Sequence, residues 1–338
     1  MIEIIEIIEI IEMRVLVTGG SGLVGKSLNS YIKNENEFQI KDCHFTFVSS
    51  KDADLRIKEE VDKLFIDREY DAIIHLAACV GGLYKNMNSN VGMYLDNMAI
   101  NTNIIKACHQ NNINRGIFCL SSCVFPEKPN SFPMTEEDLH RGKPHFSNYG
   151  YAHSKRQLEV MCDLYSSSYN RQYICVSPVN LYGPFDNFSI KNGHVLPSVM
   201  HRMYNNSLNS EDFTVYGTGR AFRQFLYAPD FAKAIVKLLL DIRVKFGIFN
   251  VCDMSSSEGD ISIPEYSIQE VVYMIAKNLN FPKEKIKNDI LKSDGIYKKT
   301  VSAVVFKLRY PDFKFTPLSE GLEITVKWMI DNFDSIRK

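Results

Sequence analysis

Charge of one sign is missing from this chain. Its 338 residues carry 39 Lys and Arg against 40 Asp and Glu, a net charge of −1, and no block of like charges breaks the balance. That excludes the electrostatic footprint of a nucleic-acid binder or of a protein drawn to an anionic membrane surface. No run of about 18 apolar residues is present, so no membrane-spanning helix is expected. Eight cysteines stand at 43, 79, 108, 119, 123, 162, 175 and 252, yet none forms a Cys-x-x-Cys pair. Scattered through apolar runs, they fit reduced thiols of a cytoplasmic protein, not a disulfide framework or a zinc site. The opening MIEIIEIIEIIE lacks both the basic start and the small-residue cleavage site of a signal peptide. Residues 1–12 are expected to be a dispensable appendage to a fold that begins at Met13.

What is present is a regular alternation. Strand-like runs at Val15–Thr18, Phe45–Val48, Ala72–Leu76, Ile117–Ser121 and Tyr173–Ser177 alternate with helix-like stretches at Leu23–Lys33, Glu59–Glu69, Asn97–Asn111 and Tyr151–Tyr169. Such βαβ units predict an α/β fold, a Rossmann-type doubly wound parallel sheet covered on both faces. Residues 13–181 are assigned to it, with some later segments returning. After Leu181 the rhythm loosens, Gly and Pro punctuate, and helices recur near Leu196–Asn205, Phe231–Asp241, Ile268–Leu279 and Leu318–Asp331. Residues 182–338 therefore read mainly as a smaller C-terminal substrate lobe. The serine-rich MSSSEGD at 254–260 reads as a solvated loop.

The first strand and helix are joined by VLVTGGSGLVGKSL, which sets Gly19, Gly22 and Gly25 where a pyrophosphate can rest on a helix N-terminus. At the end of the second strand, FVSSKDADL offers Ser49, Ser50 and Lys51 where NAD enzymes usually place a carboxylate. Donors and a cation suit a 2′-phosphate, so NADP(H) is expected, although Asp52 stands close by. Asp54 and Leu55 are placed to edge the adenine, and Ala77 and Ala78 after the third strand to flank the cofactor.

Tyr151 and Lys155 stand at i and i+4 in YGYAHSK and so share one helical face. A neighbouring ammonium is expected to favour the phenolate, which would make the pair a proton donor to a carbonyl reduced by hydride.

A glycine triplet, a serine at a strand end and Tyr-x-x-x-Lys together resemble the extended short-chain dehydrogenase/reductase family. The longer motifs SSCVFP, NLYGPFDNF, NGHVLP and SDGIYKKT are similar to those of its members that epimerise and reduce GDP-4-keto-6-deoxymannose. The likeness runs from Met13 to the C-terminus. It implies a reductase triad of Ser121, Tyr151 and Lys155, an epimerisation pair of Cys123 and His194, and a homodimer. It also implies cofactor contacts from Leu23, Val24, Leu76, Pro178, Asn180 and Leu181, besides Tyr151, Lys155 and His194. Ser122, Asn180, Arg202, Tyr216, Arg223, Asp294 and Lys299 are the implied substrate contacts, with arginines suited to diphosphate oxygens. At position 216 relatives often carry tryptophan. The residues themselves indicate a nucleotide sugar; only the resemblance specifies guanine.

The chemistry gives Cys123 a reason. Hydrogens on C3 and C5 of a 4-keto sugar are acidic, and inverting each centre needs a base on one face and an acid on the other. A thiol is only a few per cent ionised at pH about 7, and a nearby cation raises that share. If the fourth strand persists, extended geometry sets Ser121 and Cys123 on one side and Ser122 on the other. No carboxylate follows this serine before Glu127, unlike the acidic pair usual in 4,6-dehydratases. Two other functions remain open at this point, an NAD-retaining sugar-nucleotide 4-epimerase and a non-enzymatic NADP-binding redox sensor.

Overall fold

The computed structural model describes residues 12–34, 42–257, 260–292 and 294–338. Apart from Glu12, the expected appendage lies outside them. Six parallel strands form the central sheet: β1 (Met13–Thr18), β2 (Cys43–Val48), β3 (Ala72–His75), β4 (Arg115–Cys119), β5 (Gln172–Pro178) and β6 (Gly247–Val251). Their order is β6-β5-β4-β3-β1-β2. β3 and β4 are buried along almost their whole length, as a sheet sandwiched between helices requires. The sheet grows in opposite directions from β1. Right-handed crossovers therefore set α1 (Leu23–Asn34) on one face and both α2 (Asn90–Gln110) and α3 (Tyr149–Tyr169) on the other. This is the doubly wound Rossmann-type arrangement the alternation predicted.

Beyond β5 the chain leaves the sheet. Asn180–Tyr182 pairs in parallel with Phe225–Tyr227, and Phe213–Tyr216 with Ile286–Asp289. Around them pack α4 (Val195–Leu208), α6 (Ile268–Asn278) and α7 (Leu318–Asp331), while α5 (Ala228–Leu240) returns the chain to β6. A separate apolar cluster that includes Phe188, Met200, Phe213, Val272, Leu322 and Met329 gives this lobe its own core.

Four expectations differ in detail. α2 starts at Asn90, because Asn90 is bonded across to the start of α3: its Oδ1 accepts from the Gly150 N–H at 2.8 Å and its Nδ2 donates to the Phe146 carbonyl at 3.3 Å. The helix expected at Glu59–Glu69 covers only Lys58–Lys63. β4 stops at Cys119. Finally, 254–260 is not a plain loop, since Ser255–Ser257 pairs antiparallel with Asp260–Ser262.

Candidate active site

The glycine turn has the predicted shape. Gly19 has φ +75°, and a Cβ there would lie 2.8 Å from the Ala77 nitrogen. One on Gly25 would lie 2.5 Å from the Gly19 carbonyl oxygen. The two glycines therefore let the β1–α1 turn close over the end of β3. The Gly20 N–H donates to the Val48 carbonyl at 2.9 Å, which brings the end of β2 alongside. Leu23 and Val24 in the first turn of α1, with Leu76, Ala77 and Ala78 after β3, all retain accessible surface on this side.

At the end of β2 the ambiguous carboxylate is accounted for. Asp52 Oδ2 accepts from both the Ser49 N–H and the Ser49 hydroxyl at 2.7 Å, and these bonds hold its pKa down. Asp52 is thereby spent on the turn, while Ser50 and Lys51 remain exposed. The turn so built presents a cation and a hydroxyl to solvent. Asp54 is also engaged: Arg56 grips its carboxylate at 2.6–3.2 Å and lowers its pKa to about 2. Leu55 beside it is buried.

The catalytic helix and the serine–cysteine segment meet as follows. Ser121 is still extended, at φ −164° and ψ 147°, but Ser122–Val124 turns into a single 3-10 turn. Strand alternation does not bring Ser121 and Cys123 together, because the strand does not reach them. The turn does, with the Cys123 N–H donating to Ser121 Oγ at 3.3 Å. Ser122, on the outside of the turn, stays partly accessible. Ser121 also stands near enough to the Tyr151 phenol to draw its pKa down. The Lys155 ammonium, fully buried, donates to the Cys119 carbonyl at 2.7 Å and lies 5.9 Å from the centre of the Tyr151 ring.

The protonation states differ from expectation. Burial holds the Tyr151 phenol well above its ordinary pKa, with Cys123, Cys119 and Cys79 acting the same way and Ser121 opposing. Lys155, anchored on a carbonyl and itself lowered by burial, does not reverse that. Tyr151 is thus a phenol that keeps its proton at neutral pH, the state a donor needs. Burial likewise raises the Cys123 thiol, opposed by Lys299, Ser121, Lys155 and Arg156.

On the facing lobe His194 precedes α4 in a loop tied to the β3 end, where the Gly82 N–H donates to the Asn192 carbonyl at 3.1 Å. The imidazole keeps exposed surface, and the protein packed around it, then Arg337, lowers its pKa. No hydrogen bond between His194 and Cys123 is seen among the described residues. Pro178 ends β5, Leu181 is half-buried, and Asn180 Nδ2 donates to the Gln224 carbonyl at 2.8 Å beside Arg223.

The cationic residues of the lobe fall into two groups. Arg202 is stacked between Phe213 and Tyr216, 4.8 and 4.7 Å from their ring centres, and its Nη1 donates to the Thr214 carbonyl. Tyr216 itself is 52% exposed and so presents an open aromatic face. The second group is Arg223 with Lys299. Burial lowers the Lys299 pKa, with the Arg223 charge acting in the same sense and Cys123 opposing, and Lys299 is the foremost charge acting on Cys123. Of the two adjacent lysines, Lys298 is paired with Glu265 at 2.5 Å, which leaves Lys299 for the cleft. Asp294 is placed differently from expectation. Its carboxylate accepts from the Thr218 N–H and hydroxyl at 2.7 Å and from the Gly219 N–H at 3.2 Å, so it braces the turn between Tyr216 and Arg223.

Sequence reasoning missed a buried polar relay. Thr18 Oγ1 and His75 Nδ1 are 2.7 Å apart, His75 Nε2 and Asn101 Oδ1 3.3 Å, and Asn101 Nδ2 donates to the Ser154 carbonyl at 3.2 Å. Burial, helped by Lys155, lowers His75 to about 3, so it is a neutral strut. A histidine inside an otherwise apolar strand was the available signal.

A dinucleotide turn, a proton-bearing tyrosine and a cationic second lobe define an oxidoreductase or epimerase of the Rossmann type. The chain belongs to the NAD dependent epimerase/dehydratase family, which matches residues 15–252. It is 38% identical to a GDP-L-fucose synthase from Dictyostelium discoideum over 324 residues, 96% of this chain and 97% of that protein. A probable GDP-L-fucose synthase from Drosophila melanogaster is also 38% identical, over 96% of this chain and 99% of its own. The crystal structure of a GDP-L-fucose synthetase from Naegleria fowleri bound to NADP matches with TM-score 0.87 at 38% identity, covering 97% and 96% of the two chains.

Proposed function

We propose that this enzyme converts GDP-4-keto-6-deoxymannose to GDP-L-fucose with NADPH, inverting C3 and C5 and then reducing C4. The observation that carries this reading is the convergence of Tyr151 and Lys155 with Ser121 and Cys123 on one turn, facing Lys299 and Arg223. A reductase needs the first three groups; only an enzyme that also moves protons on carbon needs the thiol.

The glycine turn, with Leu23, Val24, Leu76, Ala77 and Ala78, would hold the dinucleotide, and Ser49, Ser50 and Lys51 its 2′-phosphate. Bound NADPH supplies hydride. Tyr151 and Ser121 hydrogen-bond the O4 oxygen, stabilising the enolate during inversion and protonating the alkoxide on reduction. Cys123 and His194 exchange protons with C3 and C5. Arg202, Arg223 and Lys299 meet the diphosphate, and Tyr216 offers its ring to the base. Asp294 supports the substrate site by holding the turn that carries Tyr216.

Eight free thiols support a reducing, cytoplasmic setting, and no helix among the described residues is long and apolar enough to cross a membrane. An apolar stripe on α2 and α3 supports a homodimer. Incubation with GDP-4-keto-6-deoxymannose should consume NADPH stoichiometrically and yield GDP-L-fucose. Turnover of a sugar nucleotide without net NADPH loss would point to a 4-epimerase instead, and no turnover of either kind to a binding protein.

A further inference from the structure

The loop that begins with Cys123 runs out from the sheet and returns to α3. Its neck is closed by one side chain. Arg156, the residue after Lys155, is only 8% exposed, and its Nε donates to the Val124 carbonyl at 2.7 Å on the outgoing strand of the neck. Its Nη2 donates to the Gly142 carbonyl at 2.8 Å on the returning strand. Beside these, the Glu127 N–H donates to the Lys143 carbonyl at 2.9 Å. Lys155 meanwhile grips the Cys119 carbonyl. Two consecutive cations of one helix thus bracket the segment that carries Ser121 and Cys123. Farther along the same loop, Met134 exchanges hydrogen bonds with Thr300 and Ser302 at 2.9 and 2.7 Å, in the segment that carries Lys299.

We propose that Arg156 is a positioning residue for Cys123, fixing the Ser122–Val124 turn to α3 so that thiol and Tyr151 phenol address one substrate from set positions. The inference rests on the epimerase–reductase reading. A planar guanidinium fork suits the task because it reaches two carbonyls in fixed directions, which an ammonium cannot. No carboxylate among the described residues pairs with it; the ionisable groups that feel its charge are Cys123, Tyr149 and, one turn back on the same helix, His153. The charge therefore remains available to a thiolate. Lys299 and Lys155 act on the thiol in the same sense, and Tyr151 is its neutral neighbour.

The test compares Arg156→Met and Arg156→Lys with the unmodified enzyme in two ways. The first is peptide-resolved iodoacetamide alkylation of Cys123 against pH, which needs no substrate. The second is deuterium entry at C3 and C5 of GDP-4-keto-6-deoxymannose in D2O, set against NADPH affinity. Arg156→Met should raise the alkylation midpoint and slow deuterium entry about tenfold to a hundredfold while changing NADPH affinity less than about twofold. Arg156→Lys should restore the midpoint and only part of the exchange rate, because charge returns without the fork. Should Arg156→Met not fold, the lysine variant carries the test, and full exchange in it overturns the proposal. An unchanged midpoint in Arg156→Met overturns it too, as does an equal loss of exchange and NADPH binding, which would mark general damage. If the unmodified enzyme shows no exchange, the functional reading fails while the alkylation arm still decides the role of Arg156.

Discussion

The Lys155 ammonium donates to the backbone carbonyl of Cys119 at 2.7 Å, so the lysine holds the end of β4 as well as standing beside Tyr151. Removing it and removing the tyrosine hydroxyl should therefore differ. Lys155→Met leaves a buried carbonyl unpaired and should cost stability of about 1–3 kcal/mol together with reduction. Tyr151→Phe keeps the ring and its packing, so Tm should hold while reduction falls about a hundredfold or more for want of a proton donor. Melting curves and single-turnover NADPH oxidation separate the two. Near-original turnover in Tyr151→Phe would remove the tyrosine from the mechanism.

How much of this was legible depended on range. The turn around Gly19 and Gly25 and the Tyr151/Lys155 face could be read because spacing within one element fixes them. So could α7, whose bounds Leu318–Asp331 match the periodicity. The Ser121–Cys123 pairing came about by another route, since whether a strand continues past Cys119 or bends into a 3-10 turn is settled by what grips its carbonyls. Lys298 and Lys299 are indistinguishable until Glu265 claims one of them. Asp294 and Arg156 work through backbone groups distant in sequence, which no local pattern reveals.

Cofactor choice follows from Asp52. With that carboxylate bonded to Ser49, Lys51 and Ser50 would meet a 2′-phosphate unopposed in the proposed cofactor site. Lys51→Glu replaces attraction by repulsion and should lower kcat/KM for NADPH about tenfold while leaving NADH nearly untouched. Equal kcat/KM for both cofactors in the unmodified enzyme would contradict the assignment.

Asp186 sets a pH dependence of stability. Its side chain is buried, Oδ1 accepts from the Asn187 N–H at 2.6 Å, and Oδ2 has no hydrogen-bond partner. Burial lifts its pKa to about 7 against the pull of Asn187 and Arg337. The folded state then holds this proton more tightly than the unfolded chain, whose aspartate titrates near pH about 4. The group therefore destabilises progressively as pH rises from about 4 to about 7, and by a constant amount above that, on the order of a few kcal/mol. In Asp186→Asn the Tm difference from the unmodified protein should widen across that window and then level off. A difference independent of pH would show that Asp186 does not titrate there.

Val91, Leu95, Val160 and Leu164 lie 42–73% exposed on α2 and α3. Four apolar side chains left to solvent on adjacent helices fit the proposed dimer, whose partner would cover them. Light scattering at micromolar concentration should return twice the chain mass, and Leu95→Glu with Leu164→Glu should halve it without changing the far-ultraviolet spectrum. A monomer mass for the unmodified chain would be decisive against the dimer.

Cys123 bears the most specific expectation. Burial raises its thiol, yet Lys299, Lys155 and Arg156 stand close enough to offset part of that, and a 4-keto sugar in the cleft would bring an acidic C–H against it. Serine fits the same space, but its hydroxyl is far too weakly acidic to relay a carbon-bound proton near neutral pH. Cys123→Ser should therefore lose deuterium incorporation at C3 and C5 about a hundredfold or more in the absence of NADPH, with nucleotide affinity kept. Ser121, Tyr151 and Lys155 remain in place, so slow hydride transfer to the uninverted ketone should persist and give a C4-reduced sugar of unaltered C3 and C5 configuration. His194→Asn should also slow inversion but leave a different mixture of partly inverted species, because it would remove the proposed proton carrier of the other face. Deuterium exchange in Cys123→Ser at the original rate would return this cysteine to a packing role and leave the inversion without its second group.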